Sequence, residues 1–224
     1  MSTPPTQVLV VDDDPLVRSA LALMLGGQAD LEVVGEAADG REGLRLAAEL
    51  RPDVVLMDIR MPRLDGLAAT RELHARPHPP RVIVLTTFDA DEYVVAALAA
   101  GADGFLLKDT PPPQIIEAIR KVVDDEPMLS PSATRSLIRR LRDDEVADAG
   151  QQRAARAQEL LATLTERERE VAHAVGSGLS NAEIAAALHL SVPTVKAHVS
   201  RLFDKLQATN RVQIAICVHD AGLS

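Results

Sequence analysis

Four short signals in the first half of the chain carry residues that together could accept and hold a phosphoryl group. Asp58 closes the run Asp53-Val-Val-Leu-Met-Asp58, and Asp12 and Asp13 follow Val8-Leu-Val-Val11. Thr86 follows Arg81-Val-Ile-Val-Leu85, and Lys108 follows Gly104-Phe-Leu-Leu107. A carboxylate that takes up phosphate needs a cation to offset charge, further carboxylates to hold that cation, and donors for the phosphate oxygens. Mg2+ prefers oxygen ligands and keeps some waters, so the expected set is Asp13, Asp12 through a water, Asp58 and the backbone carbonyl of Arg60. Lys108 supplies a point charge and Thr86 a hydroxyl donor. Any one of these carboxylates alone is more simply a solvated loop residue. It is the set, closing strands one, three, four and five in order, that points to a site.

The elements that must position this set are legible as an alternation. Strand-like runs at 7–11, 31–36, 53–58, 81–86 and 103–107 alternate with helix-period stretches at 15–25, 40–50, 66–75, 90–99 and 112–123. Five βα units predict an α/β domain with a five-stranded, doubly wound parallel sheet and right-handed crossovers. In such a sheet the carboxyl ends of the strands share one edge, where ligand crevices form. The loop Met61-Pro-Arg-Leu-Asp-Gly66 reads as a tight turn into a helix.

A chain of 224 residues is most simply two domains, at roughly 100 to 200 residues each. Hydrophobic residues at 46% and charged residues at 25% exclude a disordered chain. Aromatics at 2% leave little for stacking single-stranded nucleic acid, which a duplex reader does not need. Cys217 is the single cysteine, which excludes an intramolecular disulfide and a cysteine zinc cluster. The six histidines show no metal-ligand spacing. Met1 to Thr6 lacks an export-signal layout, and charge interrupts every apolar stretch short of the roughly 18 residues of a spanning helix. The expectation is a soluble protein of the reducing cytoplasm with no membrane partner. The net charge of -9 is uneven: residues 1–126 hold 12 Lys+Arg against 22 Asp+Glu, and residues 127–224 hold 12 against 11. The acid belongs to the first half, so it does not argue against nucleic acid at the other end.

The breaker run Asp124-Asp-Glu-Pro-Met-Leu-Ser-Pro131 ends the first domain, taken as residues 1–126. Residues 127–160, rich in Ala, Arg and Leu, read as a helical linker or as a plain exposed charged segment. From 161 to 224, Thr165-Glu-Arg-Glu168 and Ser180-Asn-Ala-Glu183 fit the capping box, and Ser191-Val-Pro-Thr194 adds a Ser cap with an early Pro. Three short helices and a fourth at about 210–219 follow, a small all-α helix-turn-helix domain. In the helix over 192–207, Val195, Val199, Leu202 and Leu206 form an apolar stripe, leaving Lys196, Ala197, Ser200, Arg201 and Asp204 exposed. A helix in the major groove meets a distinct donor and acceptor pattern at each base pair. Thr194, Arg201, Lys205 and Arg211 suit phosphates, which position without reading sequence.

The acidic pair, Asp58-x-x-Met61-Pro62-x-x-Asp65-Gly66, Thr86 and Lys108 resemble the receiver domain of two-component response regulators, a flavodoxin-like fold. By that resemblance Asp58 is the phosphorylated residue, and Thr86 and Phe105 hold the switch positions; a plain core aromatic is the other reading of Phe105. The segments Leu164-Thr-Glu-Arg-Glu168, Gly178-Leu-Ser-Asn-Ala-Glu-Ile-Ala185, Thr194-Val-Lys-Ala-His198, Lys205-Leu206 and Asn210-Arg211 resemble the LuxR/NarL-type helix-turn-helix. The order of the two is that of the NarL/FixJ response regulators. The resemblance implies that Lys196, Ala197 and Ser200 meet base edges, although a basic residue often stands where Ser200 is. It also implies that Val212 and Ile216 lie on a dimer-forming helix, with packing onto the domain's own core as the alternative.

The implied function is phosphorylation-dependent transcription regulation: a sensor histidine kinase phosphorylates Asp58, and the protein pairs as a homodimer on promoter DNA, with RNA polymerase a further partner. A constitutive DNA-binding protein whose receiver is a docking module is the alternative. A haloacid-dehalogenase-like phosphatase would need an acid/base Asp two residues past the nucleophile, and Arg60 stands there. The chain is therefore expected to hydrolyse its own acyl phosphate slowly and not to turn over as an enzyme, with Arg60 and Phe88 flanking the route of the attacking water.

Overall fold

The computed structural model describes residues 4–87, 91–126, 128–129 and 149–222. The first domain runs β1 (Thr6–Val11), α1 (Pro15–Gly26), β2 (Leu31–Ala37), α2 (Gly40–Leu50), β3 (Val54–Met57), α3 (Gly66–His74), β4 (Arg81–Thr86), α4 (Asp91–Ala99), β5 (Gly104–Leu107), α5 (Pro112–Val123) and β6 (Met128–Leu129). All pairings are parallel, in the order β2-β1-β3-β4-β5-β6. The five expected strands are present. The two-residue β6, within the run read as a breaker, adds a sixth at the edge. Gly104 lets it approach: a Cβ there would lie 3.0 Å from the Met128 carbonyl oxygen.

The inner strands β1, β3, β4 and β5 are apolar on both faces over most of their length, and alternate residues feed two cores. Val8, Val10, Val54, Leu56, Ile83, Leu85 and Leu106 pack with α1 and α5. Leu9, Val11, Val55, Met57 and Val82 pack with α2 and α3. Short acidic caps start three of the helices: Asp14, Asp39 and Asp65 accept from the amides of Leu16, Glu42 and Ala68.

The C-terminal domain comprises α6 (Ala149–Ala162), α7 (Glu166–Gly176), α8 (Asn181–Leu188), α9 (Val192–Leu206) and α10 (Arg211–Asp220). Both capping boxes close as the sequence predicts, Thr165 with Glu168 and Ser180 with Glu183. The stripe Val195, Val199, Leu202 and Leu206 is buried. α6 begins inside the segment read as linker, yet its Ala157 and Leu161 join the C-terminal core. Burying an apolar pair there secures a helix whose sequence alone reads as charged and exposed. The rest of that segment, 130–148, lies outside the described residues.

The two domains meet along a seam. The Asn210 amide donates to the carbonyls of Leu98 and Ala102, both at 2.9 Å, and the Gln213 amide to Leu98 at 2.9 Å. Val212 enters the apolar cluster of Ile59, Val84, Val94, Ala97, Leu98, Ala102 and Phe105. Lys196 pairs with Asp124 at 3.0 Å.

Candidate functional site

The acidic pocket forms at the carboxyl edge of β1, β3 and β5, as open parallel sheets place their ligand sites. The Asp58 amide donates to Val11 at 2.8 Å, which binds the end of β3 to the turn that carries Asp12 and Asp13. Asp12 and Asp58 are only 1% and 5% exposed, whereas Asp13 is open. One carboxylate oxygen from each of the three lies within 4.8 Å of the others. The Lys108 ammonium bridges the pocket, 2.6 Å from Asp12 Oδ2 and 3.3 Å from Asp58 Oδ1.

Three carboxylates and one ammonium leave a net negative pocket of hard oxygen donors, one of them open to water. That donor set fits a Mg2+ ion. Burial pushes the Asp58 carboxyl above its ordinary range; Lys108 opposes this and Asp12 adds to it. Burial alone would lower the Lys108 ammonium, but its bond to Asp12 and the two negative charges raise it. Lys108 therefore stays protonated at neutral pH, ready to contact an anion.

The loop after Asp58 is held by backbone proximity. The Gly66 amide donates to Ile59 at 2.9 Å, and a Cβ on Gly66 would fall 1.9 Å from the Asp58 carbonyl oxygen. Only glycine lets the first turn of α3 pack onto the Asp58 peptide. Arg63, with a positive φ of 64°, pairs with buried Asp39 and ties this loop to α2. The Asp58–Gly66 spacing is thus a structural requirement of the pocket's rim.

Thr86 is buried at the end of β4, where its carbonyl accepts the Lys108 amide at 2.8 Å. Phe105 is 0% exposed and already turned into the cluster that receives Val212. Arg60 has its carbonyl on the loop after Asp58, and its guanidinium reaches the Tyr93 hydroxyl at 2.8 Å. Phe88 lies outside the described residues.

At the other end of the molecule the seven expected DNA-contacting residues separate. Thr194, Ala197, Ser200 and Arg201 are exposed on α9. Lys196 is tied to the first domain through Asp124. Lys205 departs from expectation: its ammonium caps buried Glu168 at 2.7 Å, because a carboxylate in a capping box needs a cation once it is desolvated. Arg211 departs further. At 7% exposure it donates to the Leu179 carbonyl, to Asn181 Oδ1 at 2.8 Å and to the Asp125 carbonyl at 3.5 Å. A guanidinium with five donors is used here to join two backbone carbonyls and one side-chain amide oxygen into one seam. Val212 and Ile216, expected on a dimer face, both pack against the first domain's cluster in this arrangement.

Sequence reasoning missed Asp124, Asn210 and Tyr93 as parts of the seam and the rim. Asn210 carried one signal, an amide at the start of a helix, where it does accept from Gln213 at 2.9 Å. Tyr93 carried another, as the single tyrosine of the chain.

Comparison with known proteins gives two family matches along the chain. Residues 8–120 match the family described as response regulator receiver domain, and residues 162–218 that described as bacterial regulatory proteins, luxR family. The chain is 38% identical over 213 residues to the transcriptional regulatory protein LiaR of Bacillus subtilis (strain 168), covering 95% of this chain and 96% of LiaR. It is 39% identical over 210 residues to the response regulator protein VraR of Staphylococcus aureus (strain NCTC 8325 / PS 47), covering 94% of each. The crystal structure of ChrA, a response regulator of a heme-sensing two-component system, aligns with a TM-score of 0.51 at 32% identity, over 99% of this chain and 100% of ChrA. With an aspartate pocket at one end, a capped helix-turn-helix at the other and relatives matched along nearly their whole length, the chain belongs to the NarL/LuxR family of response regulators.

Proposed function

We propose that this response regulator controls transcription through phosphorylation of Asp58 by a sensor histidine kinase, and that the added charge opens the interdomain seam. An Asp58 oxygen attacks the phosphorus of a phosphohistidine; an O–P bond forms as the P–N bond breaks, and the imidazole leaves with the electron pair. Mg2+ held by Asp12, Asp13, Asp58 and the Arg60 carbonyl would offset charge on the phosphoryl oxygens. Lys108 moves from Asp12 toward the phosphoryl group, and the Thr86 hydroxyl donates to it. Water later attacks phosphorus and restores the carboxylate slowly, with Arg60 and Phe88 flanking its route, so the chain is not a turnover enzyme.

In the closed arrangement the seam holds back both working surfaces of the C-terminal domain. Asp124 engages Lys196 of the recognition helix, and the first domain covers Val212. Release frees Lys196 to join Ala197 and Ser200, which are already exposed, at base edges, with exposed Thr194 and Arg201 meeting phosphates. Lys205 and Arg211 reach phosphates only if they leave Glu168 and the seam. It also frees Val212 and Ile216 to pair with a second copy, so that two half-sites are engaged together. The reading carries a cytoplasmic location, where promoter DNA and RNA polymerase are. Among the described residues no helix is long and apolar enough to cross a membrane.

The single observation that carries this reading is the convergence of Asp12, Asp13, Asp58 and Lys108 on one sheet edge. Its test is selection of genomic DNA fragments by the purified protein, with and without Mg2+ and an acyl-phosphate donor, beside Asp58→Asn. Enrichment that rises with the donor in the wild type only is the expected result. Equal enrichment in every sample would make the first domain a docking module.

A further inference from the structure

In this structure Phe105 is fully buried and belongs to the same apolar cluster as Val212. A different side chain joins the rim of the pocket to the seam. Arg60 follows Asp58 by two residues, and its guanidinium bonds the Tyr93 hydroxyl at 2.8 Å, with its carbon 5.5 Å from the ring centre. The same Tyr93, on α4, packs against the cluster of Ile59, Val94, Ala97, Leu98 and Phe105 that also takes in Val212 and Ile216. One tyrosine thus bonds a side chain of the loop after Asp58 with its hydroxyl and joins the docked C-terminal domain's cluster with its ring.

We propose that Tyr93 is a positioning residue: it parks the Arg60 guanidinium at the rim of the pocket and yields it to a phosphoryl group on Asp58, so that α4 and the docked α10 sense the phosphorylated state. This rests on the reading of Asp58 given above. A neutral phenol is the weaker partner. A phosphoryl group carries a charge of roughly -2 and strong acceptor oxygens that a guanidinium can bond in bidentate fashion, which a neutral phenol cannot offer. When Arg60 turns to the phosphoryl oxygens, Tyr93 loses both the hydrogen bond and the cation over its ring. The start of α4 is then free to shift, and the surface that grips Val212 shifts with it.

The test is amide hydrogen exchange across Arg211–Asp220 in the full chain, resting and after treatment with Mg2+ and acetyl phosphate, with Asp58 occupancy read by intact mass. The variants are Tyr93→Phe, which keeps the ring and removes the hydroxyl, Arg60→Gln, and both together. We expect Tyr93→Phe to take up phosphate as the wild type does, yet to exchange about 3- to 5-fold faster at rest, the scale of one ordinary, solvent-exposed hydrogen bond. The further rise on phosphorylation shrinks accordingly, and the double variant behaves like either single one. Unchanged resting exchange in Tyr93→Phe, or effects of the two substitutions that multiply, overturns the proposal. A wild type that takes up no phosphate would sink the function proposed for Asp58, while the resting comparison would still decide the role of Tyr93.

Discussion

The acidic pocket and the recognition helix differ in where their partners are. Asp12, Asp58 and Lys108 satisfy one another within a single sheet edge, so burial and charge hold each in place. The recognition helix has its intended partner outside the chain, and the fold lends part of its basic surface to other tasks: Lys196 to Asp124, Lys205 to Glu168, and neighbouring Arg211 to the seam. A site whose chemistry is internal keeps all its members in view. A surface built for a partner can be diverted, and on the function proposed above the diversion would hold back DNA binding.

The comparison breaks most directly at Asp58. Asp58→Asn removes the attacking oxyanion, so phosphate incorporation should vanish, and with it a stimulation of DNA binding expected at roughly 5- to 150-fold. Incorporation measured by intact mass and binding by titration check both. If the variant still responds to the donor, the pocket is not what drives the seam.

Next in size is the rim. Gly66→Ala sets a Cβ into the Asp58 carbonyl, and we expect a loss of about 3 kcal/mol in the first domain's stability, at the upper end for overpacking. Denaturant unfolding of the full chain, followed by a signal from the sheet domain, reads it. A smaller step is Asn210→Ala, which leaves the Ala102 carbonyl unpaired in the seam and should weaken docking by about 1 to 3 kcal/mol. Its readout is DNA binding without phosphate, which should rise; a fall would mean that the lost helix cap outweighs release.

The C-terminal domain offers a pH test of its internal pair. The bond to Lys205 first, and then the Thr165 amide, hold the Glu168 carboxyl down at about 2 against an ordinary 4.5. A depressed carboxylate contributes stability above its unfolded pKa and loses it as pH falls through the folded value. Melting of this domain should therefore weaken progressively between about pH 4.5 and 2, and Glu168→Gln should flatten that slope. The smallest effect is expected at Asp124→Ala. Its side chain is 69% exposed, so the pair with Lys196 is screened and should change docking by less than about 1 kcal/mol. A larger effect would show that the recognition helix is held chiefly by charge.

Much of the site was legible because its signals are local and each closes one strand of the βα alternation. Each of Asp12, Asp58, Thr86 and Lys108 ends an apolar run, and a parallel sheet brings such ends together. The capping boxes at Thr165 and Ser180 were legible for the same reason, since both partners lie within four residues. The seam was not. Asn210 meets Leu98 and Ala102 across more than a hundred residues, and no pattern of helix or strand period encodes such a distance. Arg60 and Tyr93, 33 residues apart, escaped likewise.

By itself the amino-acid sequence pointed to two domains, to the sheet edge at which Asp12, Asp13, Asp58 and Lys108 gather and to the helix that would face DNA, because hydrophobic periodicity and capping act over a few residues. Only the tertiary structure decided which of the basic residues are committed elsewhere, that Phe105 is already inward, and that Val212 lies beneath the first domain. Those outcomes depend on which surfaces meet when two separate cores pack, and that choice is made by long-range burial and pairing of groups that the local sequence leaves equally exposed.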